Sequence, residues 1–262
     1  MYPCGQTRLQ KVYPWPAVLL LRGELSTSGV AIRKASNPFA NRILAALPRK
    51  ASRHFLSALT PVDLPLGRVL YKAGAAGRYV YFPNDCMVSL LAVADRGNGL
   101  EVGLVGAEGM VGVALALGMS KSPVKALVRG AGSAMRIGAT RFSKELEQSR
   151  PLRREVDRCA YVAMATAMQV AVCNKAHVLE ARLARWLLMT QDRVAADKFR
   201  FTQEFIALML GVRRAGVNSA AGALQRRGLI RYSRGLMQIL DRKRLRETAC
   251  SCYEVIRRVE KA

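Results

Sequence analysis

The apolar positions between residues 202 and 241 change period twice. Residues 203–210 (Gln-Glu-Phe-Ile-Ala-Leu-Met-Leu) read as a short helix with Thr202 as its N-cap. Gly211 and Val212 interrupt it. Residues 213–227 read as a second helix, ended by Gly228. Ile206, Leu210, Val212, Val217 and Leu224 fall on the face to be buried, which leaves Arg213, Arg214, Asn218 and Ser219 on the outer face. Ala207 is small enough for the second helix to cross close by, and Gly211 accepts the positive φ of a sharp turn. Beyond Gly228, residues 229–233 and 236–240 read as strands flanking Arg234-Gly235, a tight-turn pair. Together these elements predict a winged helix-turn-helix, which docks its second helix in the DNA major groove. A plain helical hairpin with a glycine turn imitates part of the pattern. The added hairpin and the small Ala207 favour the winged form.

Upstream the pattern differs. Residues 1–38 show no sustained period and are broken by Pro3, Pro14, Pro16, Gly23, Gly29 and Pro38. They are expected to be a poorly ordered basic extension, or an over-long start of the reading frame. Residues 39–59 predict one or two short helices burying Ile43, Leu44, Leu47, Phe55, Leu56 and Leu59. From 61 to 137, short apolar runs alternate with turn residues. Strands are expected at 69–71, 79–82, 87–94, 100–105, 110–113, 125–128 and 134–137, as in a sandwich or barrel. Residues 140–147 predict a short helix. A long one follows, with Pro151 in its first turn. Its small apolar residues (Ala160, Ala163, Ala167, Ala171) occupy several faces, so it must be covered, by its own sheet or by a second copy. A break near 176–179, a helix over 180–193 and an amphipathic final helix over 242–258 complete the chain.

Charge sharpens the picture. The 262 residues carry 42 Lys and Arg against 18 Asp and Glu, a net charge of +24, which implies a polyanionic partner. From residue 199 to 246 there are eleven basic and two acidic residues, the excess a phosphate backbone requires. No run approaches membrane-spanning length, and the apolar run 17–21 is too short for a signal peptide, so a cytoplasmic site is expected. The six cysteines (4, 86, 159, 173, 250, 252) form no Cys-x-x-Cys, and no histidine follows at zinc-ligand spacing. Cys250-Ser251-Cys252 could bind a metal or oxidise, but is read first as small residues on the terminal helix, and His54 and His177 are read as isolated structural histidines. No metal or cofactor is expected. No triad, phosphate-cradling loop or carboxylate pair stands out, so catalysis is not expected.

A roll of strands, a long helix and a C-terminal winged helix together resemble the Crp/Fnr family of bacterial transcription regulators. The resemblance covers about residues 40–250. Its most specific part is Thr202-Gln203-Glu204 through Gly211-Val212-Arg213-Arg214 to Gly228-Leu229-Ile230. Tyr81-Phe82-Pro83 and Glu108-Gly109-Met110-Val111-Gly112 resemble the roll of an atypical branch, and Arg185 in Glu180-Ala181-Arg182-Leu183-Ala184-Arg185 resembles the start of the DNA-binding domain. The resemblance implies a homodimer joined along the long helix, effector sensing in the roll, and promoter DNA bound by two recognition helices, with RNA polymerase as a further partner. Two departures matter. Cyclic-nucleotide sensors of the family carry Gly-Glu and Arg-Ser/Thr-Ala, but here Val113 follows Gly112, and residues 122–126 (Ser-Pro-Val-Lys-Ala) hold Lys125 as their one cation. Many members have Arg-Glu at the start of the recognition helix, whereas Arg214 precedes Ala215. The iron-sulfur branch has N-terminal cysteines, of which Cys4 alone is present.

The expected fold is α+β. It comprises an extension (1–38), a cyclic-nucleotide-binding-like β-roll of jelly-roll type (39–150), a dimerisation helix (151–178) and a winged helix-turn-helix (179–262). The expected function is sequence-specific binding of double-stranded promoter DNA at an inverted repeat by a homodimer. Arg213, Arg214, Asn218 and Ser219 would face bases, and Arg226, Arg227, Arg231 and Arg234 phosphates. Gly112, Val113, Ser122 and Lys125 mark a degenerate effector pocket for an unidentified small molecule, not cyclic AMP. The competing reading is a ligand-binding regulatory protein that acts through protein contacts.

Overall fold

A computed structural model describes residues 40–50, 52–93, 99–194 and 197–261. The expected extension and Cys4 lie outside the described residues. Asn41 caps α1 (Arg42–Ala46), its side chain accepting from the Ile43 and Leu44 amides. The same side chain donates to Pro83 and Gly109 carbonyls, both at 2.9 Å, and so ties this helix to the roll. The second short helix is α2 (Arg53–Ser57).

Among the described residues seven strands build the roll: β1 (Thr60–Leu64), β2 (Val69–Tyr71), β3 (Tyr79–Pro83), β4 (Met87–Val93), β5 (Gly99–Val105), β6 (Val124–Gly130) and β7 (Gly132–Gly138). They form two antiparallel sheets, ordered β1-β7-β3 and β2-β6-β4-β5. Alternation along the strands fills the space between them with Leu64, Tyr81, Val88, Ala126, Val128 and Ala134, joined by Val111 from the loop after β5. The opposite side of β3 and β7 presents Val80, Phe82, Met135 and Ile137 to the helices, where Ile43, Leu44, Phe55, Phe142 and Leu152 meet them.

Two expectations need correction here. Residues 110–113 are not a strand: Val111 makes one isolated bridge to Tyr81, and α3 (Val113–Ala116) begins after Gly112, whose φ of 112° turns the chain. The strand β1 was not anticipated, because Pro61 and Asp63 break its apolar alternation.

After α4 (Ala139–Gln148), Ser149 caps α5 (Arg150–Ala176), accepting from the Leu152 amide. The break at His177-Val178 leads to α6 (Leu179–Val194). The expected final helix is two: α9 (Arg242–Thr248), capped by Asp241, and α10 (Cys252–Lys261). The second runs antiparallel to α5, with Cys252 beside Gln169 and Glu260 beside Arg158. One side of α5 is therefore covered by the chain itself. Ala163 and Ala167 lie on that covered side, around a cavity of about 110 Å³ that also touches Val105, Met110 and Glu260. The exposed side carries Tyr161, Met164, Met168 and Val172, each at least half exposed and spaced three or four residues apart. The histidines and cysteines also differ from expectation. His177 joins Cys173, Cys250 and Cys252, while His54 sits 2.6 Å from Glu145.

Candidate nucleic-acid interface

The C-terminal third places a two-helix unit over a three-stranded sheet. α7 (Gln203–Leu210) starts at Thr202, whose hydroxyl accepts from the Phe205 amide, and ends at Gly211 with φ 63°. That left-handed turn is one a Cβ would strain, and Leu100 of β5 closes over it: a side chain at 211 would meet Leu100 Cδ1 at 2.9 Å. α8 (Arg214–Arg226) then crosses α7. Ile206, Ala207, Leu210, Val217, Ala221 and Leu224 are buried between them, and Val212 packs partly against the same core. The predicted inward set thus holds.

The wing consists of β9 (Ile230–Ser233) and β10 (Leu236–Ile239), joined at Arg234-Gly235 with φ 48° and 78°. Positive φ at both central residues is the geometry of a tight two-residue hairpin turn. A third strand, β8 (Lys198–Arg200), pairs with β10 and was missed at three residues' length. Met237 and Ile239 point into the core and Leu236 outward, so the hairpin is pinned by its own alternation.

Arg213, Arg214, Asn218 and Ser219 are all exposed along the first two turns of α8. Arg213 supplies no side-chain cap, so the leading amides of α8 are not closed off by one. Arg214 Nη1 lies 2.8 Å from Glu204 Oε1, and its Nε donates to Gln203 Oε1 at 3.2 Å; Gln203 in turn donates to Asn218 Oδ1 at 3.0 Å. The sequence reading missed Gln203 and Glu204 because the turn, and no local spacing, brings them to Arg214. Arg214, Gln203 and Glu204 line one side of a groove of about 330 Å³, with Tyr232, Ser233 and Arg234 of the wing opposite. Tyr232 donates to the Phe201 carbonyl at 2.8 Å. Burial, with Glu204 adding to it, pushes its phenol pKa up.

Arg226, Arg227, Arg231 and Arg234 are exposed as well. Arg227 differs from the others. It pairs with Glu180 at 2.7 Å and donates to Thr248 at 3.0 Å, so it clips the end of α8 to α6 and α9. Arg185 and Arg182, by contrast, are buried in α6.

In the roll, Ser122 is buried and bonds locally to Val124. Tyr71 reaches Ser122 and Gly112, and burial drives its phenol up to about 12. Val113 packs partly among the helices outside the roll. Lys125 alternates with Ala126 and Val128, which fill the interior, so it lies on the opposite face of β6. Its pKa is lowered by burial and by Lys72. Tyr71 thus joins Gly112 and Ser122, while Val113 packs towards the helices and Lys125 lies on the opposite face of its strand.

Residues 181–248 match the family described as the Crp-like helix-turn-helix domain. That segment is a Crp-like helix-turn-helix domain. The fold as a whole is that of the Crp/Fnr regulators. A putative transcriptional regulator of this family from Eubacterium rectale superposes with a TM-score of 0.62 at 17% identity, covering 80% of this chain and 98% of that one. One from Thermus thermophilus gives 0.61 at 24%, covering 72% and 98%. FixK2 from Bradyrhizobium japonicum gives 0.62 at 15%, covering 74% and 98%. No curated protein gives a match to the chain. The Crp-like domain begins inside α6 and ends with α9, so it contains α7, α8, the wing and every residue proposed for DNA contact, and no part of the roll. No described helix is long and apolar enough to cross a membrane.

Proposed function

We propose that this protein is a homodimeric, sequence-specific DNA-binding regulator of transcription. The observation that carries the reading is the exposed row Arg213, Arg214, Asn218 and Ser219 at the start of α8, of which Arg214 lines a groove together with Tyr232, Ser233 and Arg234 of the wing. A helix of this kind presents its N-terminal residues to base edges. Arginine reads guanine through two parallel bonds and asparagine reads adenine in the same way. Arg226, Arg231 and Arg234 take phosphates. Arg227 does so only by sharing or giving up Glu180. The uncapped start of α8 suits a further phosphate.

The dimer forms along the Tyr161, Met164, Met168 and Val172 stripe of α5. Residues 39–150 act as the sensor unit, 151–178 as the joining helix and 179–262 as the DNA-binding unit, with RNA polymerase as the partner at promoters. The roll is not used for cyclic AMP. Val113 offers no carboxylate for a ribose, Lys125 lies on the outer face of its strand, and the 110 Å³ cavity beside α5 falls below the several hundred Å³ usual for a ligand of that size.

Duplex binding followed by fluorescence anisotropy over a series of salt concentrations tests the reading. Affinity should fall steeply and linearly on logarithmic axes as salt rises. Absence of any duplex binding at low salt would overturn it.

A further inference from the structure

Cys173 and His177, one helical turn apart at the C-terminal end of α5, meet Cys250 and Cys252 from the junction of α9 and α10. The donor atoms of all four lie within 4.8 Å of one another. Cys173 Sγ is 3.4 Å from Cys250 Sγ, and Cys252 Sγ is 3.6 Å from His177 Nδ1. The three thiols are buried and the imidazole is half-buried.

We propose that Cys173, His177, Cys250 and Cys252 bind one zinc ion, which fastens the α9–α10 junction to the end of α5. Three thiolates and one imidazole are a closed structural set for this metal. With zinc–sulfur bonds of about 2.3 Å and zinc–nitrogen bonds of about 2.0–2.1 Å, a tetrahedron sets neighbouring donors about 3.5–3.8 Å apart. The sulfur–sulfur and sulfur–nitrogen distances already stand near that spacing. A cluster of several irons would need donors spread around more than one metal, whereas this set encloses a single ion. Binding forms three zinc–sulfur bonds and one zinc–nitrogen bond and releases the thiol protons to solvent, with no change of oxidation state.

The surroundings fit the charge of such a centre. Arg182 and Arg185 are only 8% and 4% exposed, and their Nε atoms have no hydrogen-bond partner. Neither takes part in an ion pair among the described residues. Buried guanidinium groups without a nearby anion are costly. Arg185 feels Glu101 at longer range. Arg182 is within electrostatic reach of Cys173 and Cys250, and Arg185 of Cys173. Zinc held by three thiolates carries one net negative charge, which both cations lie close enough to feel. Gln169 adds an outer support, donating to Cys252 Sγ at 3.0 Å, as such partners do for ligating groups. Gln169, Cys173 and His177 share one stripe of α5, four residues apart.

The site is placed to matter for the coupling of the two halves of the molecule. His177 opens the two-residue break that leads into α6 and the Crp-like domain, and α10 runs back along α5 from Cys252. Metal there joins two segments 77 residues apart in the chain.

The test uses the full chain, purified under reducing conditions without chelator, with metal content measured by mass spectrometry. One zinc per chain is expected, together with a fall in melting temperature when a strong chelator removes it. Cys250→Ser and Cys252→Ser should lose the stoichiometric zinc, while Cys159→Ser, outside the cluster, should retain it. If the serine variants do not fold, cobalt titration of the unmodified metal-free chain decides. The intense visible bands and near-ultraviolet thiolate transition of a tetrahedral cobalt–thiolate site support the assignment. It is overturned if the unmodified chain takes up neither zinc nor cobalt, if the serine variants hold zinc as well as the unmodified chain does, or if the freshly purified protein carries a Cys173–Cys250 disulfide instead.

Discussion

Arg214 stands at the point where the two helices of the Crp-like domain meet, and its guanidinium is already oriented by Glu204 and Gln203. The exposed pair adds little to stability, but it limits where the arginine fork can point. Arg214→Ala should therefore cost about 1–3 kcal/mol of binding, concentrated at one base position. Arg234 sits at the tip of the wing, so Arg234→Ala should weaken all duplexes alike and reduce the salt slope by about one. Competition binding against a set of single-base variants separates the two effects, and an Arg214→Ala protein with unchanged base preference would contradict the assignment. Glu101 contributes a pH dependence of its own. Glu101 is buried, accepts from Ser89 and from Trp186 Nε1 at 2.9 Å, and has its pKa raised chiefly by burial, against those hydrogen bonds and Arg129. A carboxyl raised in the folded state contributes its full stability when protonated. That contribution fades as pH climbs from the ordinary glutamate value, about 4.3, through the raised one. Glu101→Gln keeps an acceptor for Trp186 and cannot ionise. Urea unfolding across this window should show a falling stability for the unmodified chain and a flatter profile for Glu101→Gln; identical slopes would contradict this account.

Among the elements, α5 carries the clearest consequence. Its small alanines drew attention in the sequence, but Ala163 and Ala167 face the chain's own sheet and α10, and the larger Tyr161, Met164, Met168 and Val172 are exposed. Met164→Glu with Met168→Glu should place four carboxylates at a two-fold seam and split the proposed dimer, at a cost of several kcal/mol, roughly, per unpaired charge buried. Light scattering should then give a folded monomer, and a double variant that stays dimeric would move the seam elsewhere. The helices α5 to α8 and the wing were legible because they are long or sharply punctuated: Pro151, Gly211, Gly228 and Arg234-Gly235 mark their ends. The elements that were not legible lack such marks. Residues 110–113 are a short apolar run, which periodicity cannot assign to strand or helix. The division of α9 from α10 rests on three residues, 249–251, across which the amphipathic pattern continues. Cys250-Ser251-Cys252 stood out in the sequence as a possible metal-binding pair, but its partners Cys173 and His177 were not legible, because most of the Crp-like domain separates the two halves and neither has a familiar metal spacing.

At the scale of the molecule, the roll and the Crp-like domain share one continuous core. Met87, Leu91 and Leu104 of the outer sheet pack with Trp186, Ile206 and Leu210, Trp186 bonds to Glu101, and Arg129 of β6 lies over the Phe205 ring. The turn before α8 rests on Leu100 of β5. The sheet, α7 and the turn before α8 are thus in direct packing contact. Composition and charge in the sequence were enough to expect a nucleic-acid partner, and the geometry gathers Arg213, Arg214, Asn218 and Ser219, the residues proposed to meet it, on one exposed stretch of α8. In the proposed two-fold dimer, two such faces read half-sites with centres about 10 base pairs apart, or a multiple of a helical turn. Selection of bound fragments from a random duplex pool by the unmodified protein tests this most directly. Enrichment of an inverted repeat with that spacing is expected; enrichment of single unpaired sites, or of no sequence at all, would contradict the two-fold reading.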